Sequence, residues 1–307
     1  MRRLFLLLLT AFSTLACQAN AFADDQEKQP AASKPIASDK RAEDKPRFLR
    51  LVRDEKKTPR VLETAIVTYV PVDPAKGEIT IELVGAVHVG DKAYYEALNK
   101  EFEQYDALLY ELVAPPNAAI PKERKGVPGS AIGGLQVGMK EILELEFQLD
   151  RIDYTKANFV HADMSPEEFA KTMTKRGESF AKMFFQMMGY GFSQQGKGTS
   201  SEVDLLMALF AKNRAHRMKV AMAEQFDNME GQMDILDGPD GSTILTERNR
   251  KAFEVLDQEL KAGKKKIGVF YGAAHLPDME KRLLTDFGFK RSKERWVPAW
   301  SLEEKKK

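Results

Sequence analysis

Two of the four histidines in this 307-residue chain occupy the same local setting. Gly85-Ala86-Val87-His88 follows the apolar run Ile81-Glu82-Leu83-Val84, and Gly272-Ala273-Ala274-His275 follows Ile267-Gly268-Val269-Phe270-Tyr271. Each reads as a strand, a glycine turn and an imidazole. In an open α/β sheet the carboxyl ends of the strands face the crevice where ligands bind, so two imidazoles delivered there can meet. Glu111 lies in a third apolar run, Ala107 to Val113, where a carboxylate is expensive to bury without a partner. Two neutral imidazoles and a carboxylate make a three-ligand set that suits Zn, Mn or Co and leaves a position for water, which the metal would acidify. In the alternative assignment Glu111 is the general base and the imidazoles are the ligands. Gly85 and Gly272 suit a tight turn beside a bound group, since glycine permits positive φ and close backbone approach; a purely structural turn would use them equally well.

The elements that carry these residues alternate. Thr64 to Val70 and Glu78 to Val84 read as an antiparallel hairpin around Pro71, Pro74 and Gly77. Asp91 is expected to cap a helix through Tyr105 with Tyr94, Tyr95, Leu98 and Phe102 on one face. The strand Asp106 to Val113 follows, then a Pro/Gly/Lys-rich loop from Asn117 to Gly134, a helix from about Leu135 to Gln148, and a short strand, Asn158 to His161. Ser165, Pro166 and Glu168 form a helix start with a capping box, and His161 is expected to be structural beside it. Phe180 to Met233 is a Met- and Phe-rich helical insertion broken at Gly189 to Thr199, suited to core, to a cover over the site or to a dimer surface. His216, among Arg214, Arg217 and Lys219, is given no role. A helix from Ser242 to Ala262, with Glu247-Arg248-Asn249-Arg250 in its first turns, ends at Gly263. The strand Lys266 to Tyr271, an amphipathic helix marked by Met279, Leu283, Leu284 and Phe287, and one or two strands from Phe289 to Trp300 complete an α/β fold: a mixed β-sheet flanked by helices.

Basic and acidic residues nearly cancel, 47 against 46, with no sustained basic stripe, which excludes nucleic-acid binding by charge. Arg2-Arg3, the apolar run from Leu4 and the small residues Ala19 to Ala23 read as an export signal over residues 1–23, too short for a comfortable span and leaving no transmembrane segment in the mature chain. The exported protein is then periplasmic or secreted. Cys17, the only cysteine, would leave with the signal; Leu15-Ala16-Cys17 also resembles a lipobox, with its leucine one place too close to the cysteine. The charged stretch 24–57 is expected to be a disordered linker, 58–301 the folded domain and 302–307 a charged tail. The chain has no HExxH run and no Gly-rich phosphate loop, which argues against a zincin and a nucleotide enzyme.

Four features in order resemble the TraB/PrgY/GumN family: Gly85 and His88 at a strand end, Glu111 in a Glu-Leu strand end, Glu247-Arg248-Asn249 on a helix, and Gly272 with His275. That family is related to the Tiki metalloproteases and, more distantly, to the erythromycin esterase and ChaN-like fold. The resemblance runs from about Val61 to Trp300. It implies a Tiki-type domain with divalent-metal-dependent peptide hydrolysis, His88, Glu111 and His275 as site residues, and Arg248 and Asn249 as the polar helix motif. Ala86 and Val87 depart from the pattern, which often has a hydroxyl residue there. Arg248 would hold a substrate carboxylate or stabilise an oxyanion. The expected function is thus an exported metal-dependent hydrolase acting on a peptide or protein. The alternatives are a non-catalytic periplasmic protein that uses the same cleft for a haem-type ligand, and a retired enzyme on the same fold whose Met-rich helices serve as a partner surface.

Overall fold

Four short segments become the parallel part of the sheet, three of them apolar and almost wholly buried. In the computed structural model, which describes residues 47–115, 143–179, 211, 213–238 and 240–304, these are β3 (Thr80–Ala86), β5 (Ala107–Tyr110), β7 (Phe159–His161) and β8 (Lys266–Gly272). β8 lies between β3 and β5, parallel to both, and β7 continues beyond β5. Strands buried on both faces read as continuous hydrophobic runs, as β3, β5 and β8 do.

The antiparallel part is built on β2 (Pro59–Pro71). One side of β2 pairs with β1 (Leu49–Arg53) over its first half and with β3 over Ile66 to Tyr69; the other side pairs with β9 (Phe289–Ser301) along Val61 to Pro71. The expected hairpin is therefore present, and the closing segment is a single thirteen-residue strand. Its exposed stretch from Lys290 to Arg295 is charged, which protects an outer edge from pairing with another chain.

β1 and Leu302 correct the expected boundaries. Phe48, Leu49, Leu51 and Leu302 are buried, and the Leu302 amide donates to the Arg60 carbonyl. Arg50 faces outward, paired with Glu63 at 2.7 Å and lying 4.1 Å over the Trp296 ring. Residues 47–57 are thus not all linker, and the fold extends past 301. The alternation of leucine with arginine supplies the reason: one face of β1 is core and the other polar.

Helices cover both faces. On one, α1 (Lys92–Phe102) buries Tyr94, Tyr95, Leu98 and Phe102, each contributing roughly 1.5–3 kcal/mol of burial. On the other, α5 (Arg248–Lys261) and α6 (Leu276–Thr285) bury Phe253, Leu256, Met279 and Leu283. Between them in sequence come α2 (Gln148–Arg151), α3 (Pro166–Lys175) and α4 (Arg214–Asp237). α3 starts with the expected capping box: Ser165 Oγ accepts from Glu168 N and Glu168 Oε2 accepts from Ser165 N. Asp91 is the N-cap residue of α1 as expected, but its side chain makes no cap hydrogen bond; its carboxylate accepts from Lys219 Nζ on α4 and from Ser301 N, both outside the helix. The expected helix ending at Gln148 is also corrected: Glu146–Phe147 form a short strand, β6, against β4 (Val89–Gly90), and a fresh helix begins at Gln148.

The Asn117 to Gly134 loop and the insertion from Phe180 to Phe210 lie outside the described residues. The later part of the insertion is α4, where Met218, Val220, Met222 and Phe226 pack on the core and Phe226 meets Trp300 edge-on. No helix among the described residues is long and apolar enough to cross a membrane.

Candidate functional site

Parallel registry brings the carboxyl ends of β3, β5, β7 and β8 to one edge, and each delivers a polar residue there. His88 follows β3, Glu111 follows β5, Asp163 stands two residues beyond β7, and a 3-10 turn after β8 carries His275. The start of α5 reaches over the same edge with Arg248 and Asn249.

Gly272 is the point on which the three expected residues converge. A Cβ added there would lie 3.2 Å from Glu111 Oε2, 3.7 Å from His275 Cδ2 and 3.8 Å from His88 Nε2. Gly85 has a different role. Its Cβ would meet the backbone oxygens of Ala65 at 3.2 Å and Phe48 at 3.3 Å, so this glycine admits sheet backbone and faces no ligand. Neither glycine has positive φ, contrary to the expected tight turn; Gly272 sits at φ −50° and ψ 135°.

The centre is a buried ionic cluster. Arg248 donates through Nε to Asp163 Oδ1 at 3.0 Å, and through Nη2 to Asp163 Oδ2 at 2.6 Å and Glu111 Oε1 at 2.7 Å. Among the described residues its Nη1 makes only long contacts, 3.5 Å to Ile244 O and 3.5 Å to His275 Nε2. Glu111 Oε2 accepts from the Gly272 amide at 2.7 Å. Burial would raise the Glu111 carboxyl, but the Arg248 guanidinium, with His275 and His88, holds it well below the usual carboxylate range. Burial works against the Arg248 charge as well, and Glu111 with Asp163 outweighs it, so the guanidinium is held above its ordinary value.

Side-chain amides orient both imidazoles. Asn249 Nδ2 donates to His275 O at 3.1 Å and to Asp278 Oδ2 at 2.9 Å. Both partners are acceptors, so Asn249 Oδ1 must be the atom facing His275 Nδ1, at 2.7 Å. Nδ1 therefore carries a proton, and Nε2 lies between Arg248 Nη1 and Glu111 Oε1, 3.5 Å from each. His88 Nδ1 lies 3.2 Å from Gln148 Oε1, and Gln148 Nε2 donates to Tyr154 at 2.9 Å, which leaves His88 Nε2 on the Gly272 side. His88 is exposed, whereas His275 is 5% exposed, so the cluster runs from an accessible imidazole to a buried one.

The donors do not fit a three-ligand metal site as they stand. Among the described residues no group of three or more His, Cys, Asp or Glu side chains is placed to hold a metal ion. Glu111 Oε1 and His275 Nε2, which a metal would have to share, both face the Arg248 guanidinium, and a dication between them would be set against that fixed positive charge. Of the other residues singled out, Gly85 packs on sheet backbone and Asn249 orients His275.

His161 Nε2 lies 2.6 Å from Leu112 O, with its ring against Tyr110. His216 lies on α4, half-buried. Sequence reasoning missed Asp163 and Gln148 as site residues. Asp163 had a signal, a carboxylate just beyond a third strand end of the parallel set; Gln148 had none, being 60 residues from His88.

Compared with protein-family models, with curated proteins and with solved structures, the chain matches none of them.

Proposed function

We propose that this chain is a hydrolase of peptide-like carbonyl substrates that works with an imidazole base, a buried carboxylate and a guanidinium. The observation that carries this reading is the convergence on Gly272 of His88 Nε2, Glu111 and His275, with Arg248 bound to the same carboxylate. His88, the exposed imidazole, is the group that meets substrate. Its Nε2 takes a proton from water while the water oxygen bonds to the carbonyl carbon. Glu111, held ionised by Arg248, stabilises the imidazolium so formed. Of the five N–H groups of Arg248, those on Nη1 are the ones without a close acceptor among the described residues, which suits them to an oxyanion. When the tetrahedral centre collapses, the leaving nitrogen or oxygen takes the proton back from His88 Nε2. His275 keeps Glu111 in place, accepting from Arg248 when neutral and donating to Glu111 when protonated.

The same proposal places the protein outside the cytoplasm, supported by the order of basic, apolar and small residues over 1–23.

Internally quenched peptide libraries and p-nitrophenyl esters, offered to purified protein with and without a chelator, test the activity. The expected result is turnover that survives chelation, is lost in His88→Ala and is retained in His216→Ala. Turnover abolished by chelator and restored by Zn, Mn or Co would return the metal-dependent reading. No turnover of any probe, with a haem-type or other ligand recovered from the native protein, would favour a binding protein.

A further inference from the structure

The π-helical turn before Arg248 is a conformation that needs holding, and residues far from the site in sequence hold it. Thr243–Glu247 form this turn, with the Glu247 amide donating five residues back to Ser242 O. π-turns are rare and less favourable than α-helix, and they recur where a helix must present a functional residue out of its regular phase. Here the residues presented are Arg248 and Asn249, adjacent in sequence and both buried at the site. Successive α-helical residues diverge by roughly 100°, so regularising the turn by one residue would swing both away from Glu111 and His275.

The restraints on this turn are dense. Arg176, at the end of α3, donates through Nη2 to the carbonyls of Asp240 at 2.9 Å and Gly241 at 2.6 Å, through Nη1 to Glu247 at 3.3 Å and through Nε to Glu178 at 2.6 Å. Glu178 Oε2 accepts in turn from the Thr243 amide at 3.0 Å. Asp237 takes the hydroxyls of Ser242 at 2.8 Å and Thr246 at 2.7 Å. Gly241 has φ +72°, and a Cβ there would lie 2.6 Å from Thr246 Oγ1. The turn also tolerates a defect: Thr243 Oγ1 is buried with no hydrogen-bond partner among the described residues, a cost that a freely relaxing segment would shed. The stretch that supplies the clasp is the one that supplies Asp163, since α3 begins three residues after that carboxylate.

We infer that Arg176 and Glu178 are positioning residues: their clasp fixes the phase of the π-turn, and through it the placement of Arg248 and the tautomer of His275. Only the kinetic part of this inference rests on the hydrolase reading; the geometric part stands without it.

The test uses the whole chain and imidazole ¹⁵N NMR, with His275 assigned by the signal lost in His275→Gln. Wild type should show His275 as the single Nδ1–H tautomer. Arg176→Ala should lose that single signal and give a mixture, as Asn249 leaves its place. Arg176→Lys, which keeps a cation for the carbonyls, should recover much of it. Arg60→Ala, which breaks an exposed pair with Asp54 at 2.7 Å, should change nothing at His275. Where p-nitrophenyl acetate is turned over, kcat in Arg176→Ala should fall roughly 100-fold with KM little changed, since a misplacement of about 1 Å has that effect. If Arg176→Ala fails to fold, Glu178→Gln, which keeps the shape of the clasp but weakens its charge, reads the same signal. A His275 tautomer that stays single in the folded variants overturns the inference, whereas a shifted tautomer in a protein that hydrolyses no probe would leave it standing and count against the hydrolase.

Discussion

Gly272→Ala separates the site from the fold more cleanly than any histidine variant. The backbone at Gly272, φ −50° and ψ 135°, is open to any L-residue, so alanine introduces no torsional strain. Loss of glycine freedom in the unfolded chain favours the variant by about 0.4–1 kcal/mol. Against this stands the contact with Glu111 Oε2 at 3.2 Å, a few tenths of an ångström closer than ordinary contact. Overpacking of this kind costs about 1–3 kcal/mol. The net loss of stability is therefore about 0–2.6 kcal/mol, and the domain should fold. The methyl would nonetheless stand among Glu111, His275 and His88 Nε2, where the reaction is placed, and would push the carboxylate off the Gly272 amide. A misplacement of about 1 Å costs about 100-fold, or ~2.7 kcal/mol in the barrier, so the few tenths of an ångström that this methyl demands should lower the rate several-fold, with that figure as the ceiling. Gly85→Ala is the counterpart. Its Cβ meets carbonyl oxygens locked in the sheet, so stability falls by about 1–3 kcal/mol while the folded fraction keeps its kcat. Denaturant midpoints and turnover of the best ester or peptide probe, measured on both variants, check the pair. If Gly272→Ala retains wild-type turnover, the reacting group does not sit between those three side chains and the assignment of the site fails.

Asp163→Ala should destabilise by about 3–5 kcal/mol, because it strips a buried guanidinium of its bidentate partner, and thermal denaturation will read this directly. Glu111 carries a pH dependence whose sign follows from its lowered value. Its stabilisation is fully present above the unfolded carboxyl value of about 4.3 and is lost as pH falls through the lower folded value, so acid unfolding of the wild type should be steeper below about pH 4.3 than that of Glu111→Gln. Arg248→Met should create cobalt affinity that the wild type lacks, since it removes the competing cation and leaves two carboxylates and two imidazoles; visible absorption of Co(II) checks this, and stoichiometric cobalt in the wild type would contradict it. Intact mass of the protein from an exporting host should correspond to a chain starting at Asp24, and a lipid-bearing species starting at Cys17 would overturn the assigned cleavage.

What the sequence made legible was set by periodicity and punctuation. The two glycine-histidine turns, Glu111 and the capping box at Ser165 all announce themselves locally, and parallel registry then had to bring the strand ends together. Features that depend on a partner remote in sequence were hidden. β1 sits in a stretch whose composition reads as linker because Arg50 and Arg53 are there to serve the outer face, and only the pairing of Leu49 with Thr64 reveals the strand. Gln148 was concealed by helical periodicity that in fact breaks at β6. The π-turn was concealed most deeply. An uninterrupted helix from Ser242 to Ala262 and a π-turn followed by α5 have the same apolar spacing over most of their length, and they differ in the direction Arg248 takes. That direction decides the chemistry. With a regular helix Arg248 would swing away from Glu111; with the phase held by Arg176 and Glu178, a guanidinium stands beside the carboxylate, and Glu111 is tied to it before any substrate arrives.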